Sequence, residues 1–133
     1  MKKVAFIISL FVLVGATYGI YLFNKKSESL QHIEPDYTLN ANDLFNEFNQ
    51  NEQEALKKYE GKVIEVTGQI IMISQSDSIS NVILNANDAL FGGINCSFNK
   101  LEDGLNKEDV VSIKGRCQGF LTSVILNNCT LEK

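Results

Sequence analysis

The stretch YEGKVIEVTGQIIMIS, Tyr59 to Ser74, alternates with a period of two, and only an extended strand turns that period into two distinct faces. Ile64, Val66, Gly68, Ile70 and Met72 share one face. Glu65, Thr67 and Gln69 share the other, with Val63, Ile71 and Ile73 beside them near the ends. Gly68 therefore sits on the face that should be buried. A glycine inside a strand costs about 0.5–1 kcal/mol relative to alanine, so it needs a geometric reason. The long run VVSIKGRCQG, Val110 to Gly119, repeats the situation. Val111, Ile113, Gly115, Cys117 and Gly119 share its inward face, with Gly115 in the middle.

Strands that lose a side chain mid-face bend sharply, and glycine kinks and bulges let a small sheet curl until it closes. Three shorter strands complete the set: NVILNA (Asn81 to Ala86), INCSFN (Ile94 to Asn99, with Ile94, Cys96 and Phe98 inward) and VILNNCTLE (Val124 to Glu132). The alternative is an ordinary sandwich with two isolated bulges. Five antiparallel strands, two of them strongly coiled, close instead into the five-stranded Greek-key barrel of the OB-fold. In that topology the first and fourth strands are neighbours, which predicts Gly68 and Gly115 side by side. The fold class expected is mainly β, with an α-helix before the barrel and a single transmembrane helix before that.

The helix is read from NANDLFNEFNQNEQEALKKYEG, over residues 40–60. Asn40 is an N-cap with Asp43 three residues on, and Leu44, Phe45, Phe48, Ala55, Leu56 and Tyr59 recur at helical spacing. Gly61 supplies the stop, and the polar centre NQNEQE is a point where the helix can break. The apolar stripe reads as core-facing. Residues 27–38 are polar, contain Pro35 and show no periodicity; they read as a tether, with the OB domain spanning 39–133.

Val4 to Phe23 holds no charge and is closed by Lys25 and Lys26. Twenty helical residues rise about 30 Å, the thickness of a bilayer's hydrocarbon core. A cleaved signal peptide is the other reading of residues 1–26, since Val14 to Ala16 offers a small-residue cleavage site. The apolar run, however, continues for seven residues past Ala16, which favours an uncleaved anchor through residues 4–23. Basic residues flank both ends about equally, so charge alone sets no orientation. A short basic start ordinarily stays in the cytoplasm, which places the domain outside it, in the periplasm or cell envelope.

Among the 12 lysines and arginines, Lys2, Lys3, Lys25 and Lys26 flank this run, and no acidic residue precedes Glu28. The remainder carries 8 basic and 16 acidic side chains, a charge of −8. Such a domain repels polyanions at long range, which opposes nucleic acid as a partner.

The segments ANDLFNEF, NEQEALKKYEGKVIEVTGQI, INCSF and VVSIKGRCQGFLTSVILNNC resemble the tRNA_anti-like family of bacterial OB-fold proteins, over about Tyr37 to Leu131. The most specific parts are YEGKVIEVTG (Tyr59 to Gly68) and KGRCQGF with the closing NNC. The resemblance implies an OB barrel preceded by a helix, often behind a short N-terminal anchor or signal. It implies no particular activity, because the family's name records likeness to the anticodon-binding domains of tRNA-handling proteins.

Catalytic and metal chemistry find little to work with. His32 is the only imidazole and lies in the tether, and no cysteine pair has CxxC spacing. The pairs Glu102/Asp103 and Glu108/Asp109 sit in a polar connection and read as solvated surface. Arg116 precedes Cys117 but points to the opposite face of the strand. The expectation is a non-enzyme without cofactor or metal.

Cys96, Cys117 and Cys129 read either as buried apolar residues or, in an oxidising compartment, as the source of one disulfide. Cys117 and Cys129, on consecutive strands, are the first candidates. OB domains bind on the face of the second and third strands. Here that surface offers Asn81, Asn85, Phe91, Asn95, Ser97, Lys100 and Phe120, an amide-rich and nearly uncharged set suited to a neutral small ligand or a protein edge. The blander reading makes these ordinary solvated positions. Binding of tRNA or single strands is the alternative, but the loop QSDSIS carries neither aromatic nor basic residues, and the last loop offers only Phe120 with Lys114 and Arg116 nearby.

Overall fold

The structure is a computed structural model that describes residues 1–24, 29–90, 92–100 and 104–132. Lys25, Lys26, Phe91 and the Glu102/Asp103 pair lie outside the described residues. The elements are α1 (Lys2–Asn24), a 3-10 turn (Leu30–His32), β1 (Tyr37–Asn40), α2 (Ala41–Gln50), α3 (Glu52–Tyr59), β2 (Val63–Gln75), β3 (Ser80–Leu84), β4 (Ile94–Phe98), β5 (Val110–Phe120) and β6 (Val124–Glu132).

Strands β2-β3-β4-β6-β5 neighbour one another in that order, and β5 returns to pair with β2, closing a five-stranded barrel. All contacts within it are antiparallel except β4–β6, which is parallel. This is the OB-fold. Its interior is filled by Ile64, Val66, Ile70, Val82, Leu84, Ile94, Cys96, Ile113, Cys117, Val124 and Leu126, all fully buried.

The two glycines are not side by side. Gly68 lies opposite Val111 and Gly115 opposite Ile64. Each makes room for a different neighbour. A Cβ on Gly68 would lie 2.9 Å from the Ala41 Cβ and 3.2 Å from the Leu84 Cβ, so this glycine lets the first turn of α2 sit on the barrel. A Cβ on Gly115 would lie 2.6 Å from the Cys129 Sγ and 3.0 Å from the Leu126 Cβ. There β5 meets a bulge in β6, whose Asn128 takes φ 55°.

A second bulge explains why Met72 is exposed rather than inward. Ile70 opposes Leu84 and Met72 opposes Ile83, so Ile71 is one residue extra and the faces of β2 exchange beyond it. Ile73 then packs on the core in place of Met72.

The leading helix is two helices. The Asn40 side chain accepts from the Asp43 N–H at 2.8 Å, and its own amide donates to the Asp43 carboxylate at 2.6 Å. Asn51 closes α2 through its N–H to Glu47 O (3.2 Å) and caps α3 through its side-chain oxygen, which accepts from the Glu54 N–H at 3.3 Å. One residue thus ends one helix and begins the next. Gly61, at φ 75°, follows α3. Leu44, Phe45 and Phe48 of α2, with Ala55 and Tyr59 of α3, are buried. The two helices are tied by Glu47, whose carboxylate accepts from the Tyr59 hydroxyl at 2.8 Å and the Lys58 ammonium at 2.9 Å.

The segment read as a tether is largely folded onto the barrel. Ser29 caps the 3-10 turn, Leu30 is fully buried, and the turn packs against β5 and β6. Asp36 clasps Val63 twice: its N–H donates to Val63 O at 2.7 Å, and its carboxylate accepts from the Val63 N–H at 2.9 Å. β1 then runs parallel to the start of β2, Tyr37 beside Ile64. A four-residue strand that pairs with a partner far along the chain leaves no period to read.

The Ile7–Asn24 part of α1 is long and apolar enough to cross a membrane, by length and composition, and none of it is buried against the rest of the protein.

Candidate binding face

Alternation along β3 and β4 sets the candidate face. Val82, Leu84, Ile94, Cys96 and Phe98 point inward, which turns Asn81, Ile83, Asn95 and Ser97 outward. Asn81 lies opposite Ser97 and Ile83 opposite Asn95. The Ser97 hydroxyl donates to the Asn81 side-chain oxygen at 2.6 Å, fixing that pair. On one side β2 adds Ser74 opposite Asn81 and Met72 opposite Ile83; on the other, β6 adds Ile125 opposite Asn95. The surface is a neutral strip, polar at the Asn81 end and more apolar around Met72, Ile83 and Ile125. The Asn95 side-chain oxygen is buried with no hydrogen-bond partner among the described residues, a cost of about 1–3 kcal/mol.

The other expected site residues are distributed differently. Asn85 is half-buried just past β3, where its N–H donates to Gln69 O at 2.8 Å. Lys100 is exposed beyond β4. Phe120 is no open platform: it stacks on Phe48 at 5.6 Å between ring centres and meets the edge of Phe45 at 5.8 Å. With Phe45, Leu90, Leu121 and Thr122 it lines a cleft of about 330 Å³ at the end of the barrel. Phe91 lies outside the described residues. The structure thus brings Asn81, Asn95 and Ser97 together, and leaves Asn85, Lys100 and Phe120 at the margins or elsewhere.

Met72 and Ile83 belong to the face and were not expected there. The alternation Asn81, Ile83, Asn85 was sufficient to find Ile83. Met72 had no such signal, because the bulge at Ile71 reverses it. Gly92, at φ 106°, brings the β3–β4 loop against this side of the barrel; a Cβ there would lie 2.8 Å from the Ile83 Cγ2.

The two cations near the last loop are both engaged. The Lys114 ammonium pairs with Glu132 at 2.8 Å, and the Arg116 guanidinium donates to Gly61 O at 2.8 Å. Among the described residues, no group of three or more His, Cys, Asp and Glu is placed to hold a metal.

Burial pushes the Cys117 thiol up to about 11, partly offset by a backbone hydrogen bond from Gly119, with Glu60 adding to the rise. Cys96 lies beside Cys129, and hydrogen bonding to that thiol together with burial drives its own thiol well above the usual range. Both therefore stay protonated and unreactive as folded.

No curated protein matches the chain. Among solved structures, the fold is similar to that of a "putative nucleic acid-binding lipoprotein" from Klebsiella pneumoniae subsp. pneumoniae MGH 78578, with a TM-score of 0.61 and 20% identity over 72% of this chain and 91% of that one. OBody AM3L09 bound to hen egg-white lysozyme matches with a TM-score of 0.41 and 13% identity, over 56% of this chain and 84% of that chain. The tRNA_anti-like family profile matches residues 2–131, almost the whole length, and the chain with its closed OB barrel belongs to the tRNA_anti-like family.

Proposed function

We propose that the chain is a non-catalytic binding or assembly module, held by α1 in a membrane with its barrel outside the cytoplasm. It takes an uncharged ligand or a protein edge on the outer face of β3 and β4. The observation that carries this reading is the chemistry of that face. Ser74, Asn81, Asn95 and Ser97 offer donors and acceptors, Met72, Ile83 and Ile125 offer apolar area, and no charged side chain lies among them. Asn95 adds an unpaired acceptor. Lys114 and Arg116, the cations closest to what a phosphate backbone needs, are spent on Glu132 and Gly61.

The rival reading is nucleic-acid binding, raised by the name of the Klebsiella structure and opposed by the −8 charge. The two part on salt. Log affinity for nucleic acid falls in proportion to the phosphates neutralised. The test uses the full-length protein in detergent with tRNA and a single-stranded oligonucleotide at low and physiological salt, beside photocrosslinkers placed at Asn81 and Ser97 in living cells. Negligible nucleic-acid retention with discrete envelope crosslinks is the expected result. Tight tRNA binding that weakens steeply with salt would replace this reading with the rival one.

A further inference from the structure

The three cysteines are all buried, yet their surroundings differ. Cys117 faces Leu126 across the β5–β6 pair, while Cys129 falls in the bulge opposite Gly115, two residues earlier on β5. That places Cys117 and Cys129 on a diagonal, where α-carbons stand about 7–8 Å apart. A disulfide wants about 4.4–6.8 Å. The register of β5 and β6 therefore does not favour that pair.

The bulge sends Cys129 the other way. With Asn128 at φ 55°, the chain folds back so that the Cys129 Sγ reaches Leu126 O at 3.4 Å. Leu126 is also the residue that pairs with Cys96 on the parallel neighbour β4. The Cys129 sulfur thus lies over the backbone of the residue beside Cys96, inside the barrel. The missing side chain of Gly115 leaves the space it occupies. Cys96 is fully buried, and Cys129 is 6% exposed at the floor of a small surface pocket lined also by Phe98, Lys100 and Thr130.

We infer that Cys96 and Cys129, and not Cys117, are the pair that closes as a disulfide when this chain folds in an oxidising compartment. The oxidant is a protein or small-molecule disulfide. One cysteine thiolate attacks it and releases one of its sulfurs as thiolate. The second cysteine then displaces the other, so the S–S bond forms, two protons leave, and two electrons end on the donor as a dithiol. Because exchange needs a thiolate and access, it takes place while β6, the last strand, docks and brings Cys129 to Cys96, before the barrel has closed over both. Once folded and reduced, Cys96 is shielded and Cys129 nearly so. The assignment concerns which cysteines pair and stands apart from what the β3–β4 face binds. Its occurrence in cells rests on the barrel lying outside the cytoplasm, and the experiment below removes that dependence.

Full-length protein in detergent is reduced, denatured, then refolded with a mixture of reduced and oxidised glutathione, and remaining thiols are alkylated. Trypsin does not separate Cys117 from Cys129, since no Lys or Arg lies between them. Chymotrypsin, cutting after Phe120 and Leu121, does. The expected peptide map joins Cys96 to Cys129 and finds Cys117 alkylated. C117A keeps the crosslink in the same yield within twofold, and C96A loses it. A link from Cys117 to either partner, or three alkylated thiols in refolded protein with native β-type circular dichroism, overturns the assignment. Wild-type mapping decides the matter even where a variant fails to fold.

Discussion

The ammonium of Lys114 lies 2.8 Å from a carboxylate oxygen of Glu132, diagonally across β5 and β6, with the lysine side chain 5% exposed and the glutamate 29%. The 3-10 turn around Leu30 packs on the same two strands, which is how a lysine on the outside of a barrel comes to be buried. Removing one partner of such a pair strands the other charge, and the cost is greater when the lysine, 5% exposed, is left alone than when the glutamate, 29% exposed, is. E132Q is expected to destabilise by about 1–3 kcal/mol, less than a fully buried pair because Glu132 is partly hydrated. K114M is expected to cost less than E132Q. Urea denaturation of both variants checks the order, and a larger loss for K114M would show that the pair is not the governing interaction.

Leu30 belongs to the folded domain. It is fully buried, so L30A is expected to cost about 2–5 kcal/mol. A chain beginning at Asp36 loses the same contact and should show a comparable drop in urea midpoint, while one beginning at Ser29 should match the full chain with α1 removed. Equal midpoints for starts at Ser29 and Asp36 would mean that the segment is a tether after all.

Gly115 is a steric requirement rather than a conformational one. G115A introduces a methyl group 2.6 Å from the Cys129 sulfur and is expected to destabilise by about 1–3 kcal/mol. Taking away that sulfur with C129A should recover part of the loss, so the double variant is more stable than the sum of the two singles. Additive losses would place the clash elsewhere, on Leu126.

Glu47 predicts a pH dependence. Burial raises its carboxyl, but hydrogen bonds from Lys58 and Tyr59 and the charge of Lys58 outweigh it, holding the group below its ordinary value of 4.5. An acid depressed in the folded state stabilises fully above its unfolded value. That contribution disappears as pH falls through the lower folded value. Wild-type stability should therefore drop below about pH 4.5, where E47Q should show a shallower drop. Parallel curves in a urea series across that range would rule Glu47 out as a contributor.

Location is read from the thiols. Cells making the full chain are quenched in acid, denatured and alkylated before and after reduction. With the barrel outside the cytoplasm, one cysteine is alkylated before reduction and all three after it. Three from the start would place the barrel in a reducing compartment and revive nucleic acid as its ligand class.

The sequence by itself determined whatever repeats locally. The period of two in Tyr59 to Ser74 and Val110 to Gly119, the cap at Asn40 with Asp43, and the uncharged run from Val4 all depend on residues a few positions apart. They were enough to specify five strands, a helical lead and the barrel that closes them. Tertiary structure decided everything that depends on a partner far along the chain. The parallel pairing of β1 and the burial of Leu30 come from β2, β5 and β6. The bulge at Ile71 turns Met72 outward through its register with β3. The turn at Asn128 swings Cys129 away from Cys117 and toward Cys96, and Lys114 and Arg116 find their partners in Glu132 and Gly61. The reason is the same in each case: a one-residue shift in register changes which side chains meet, and register is set only when distant strands pair.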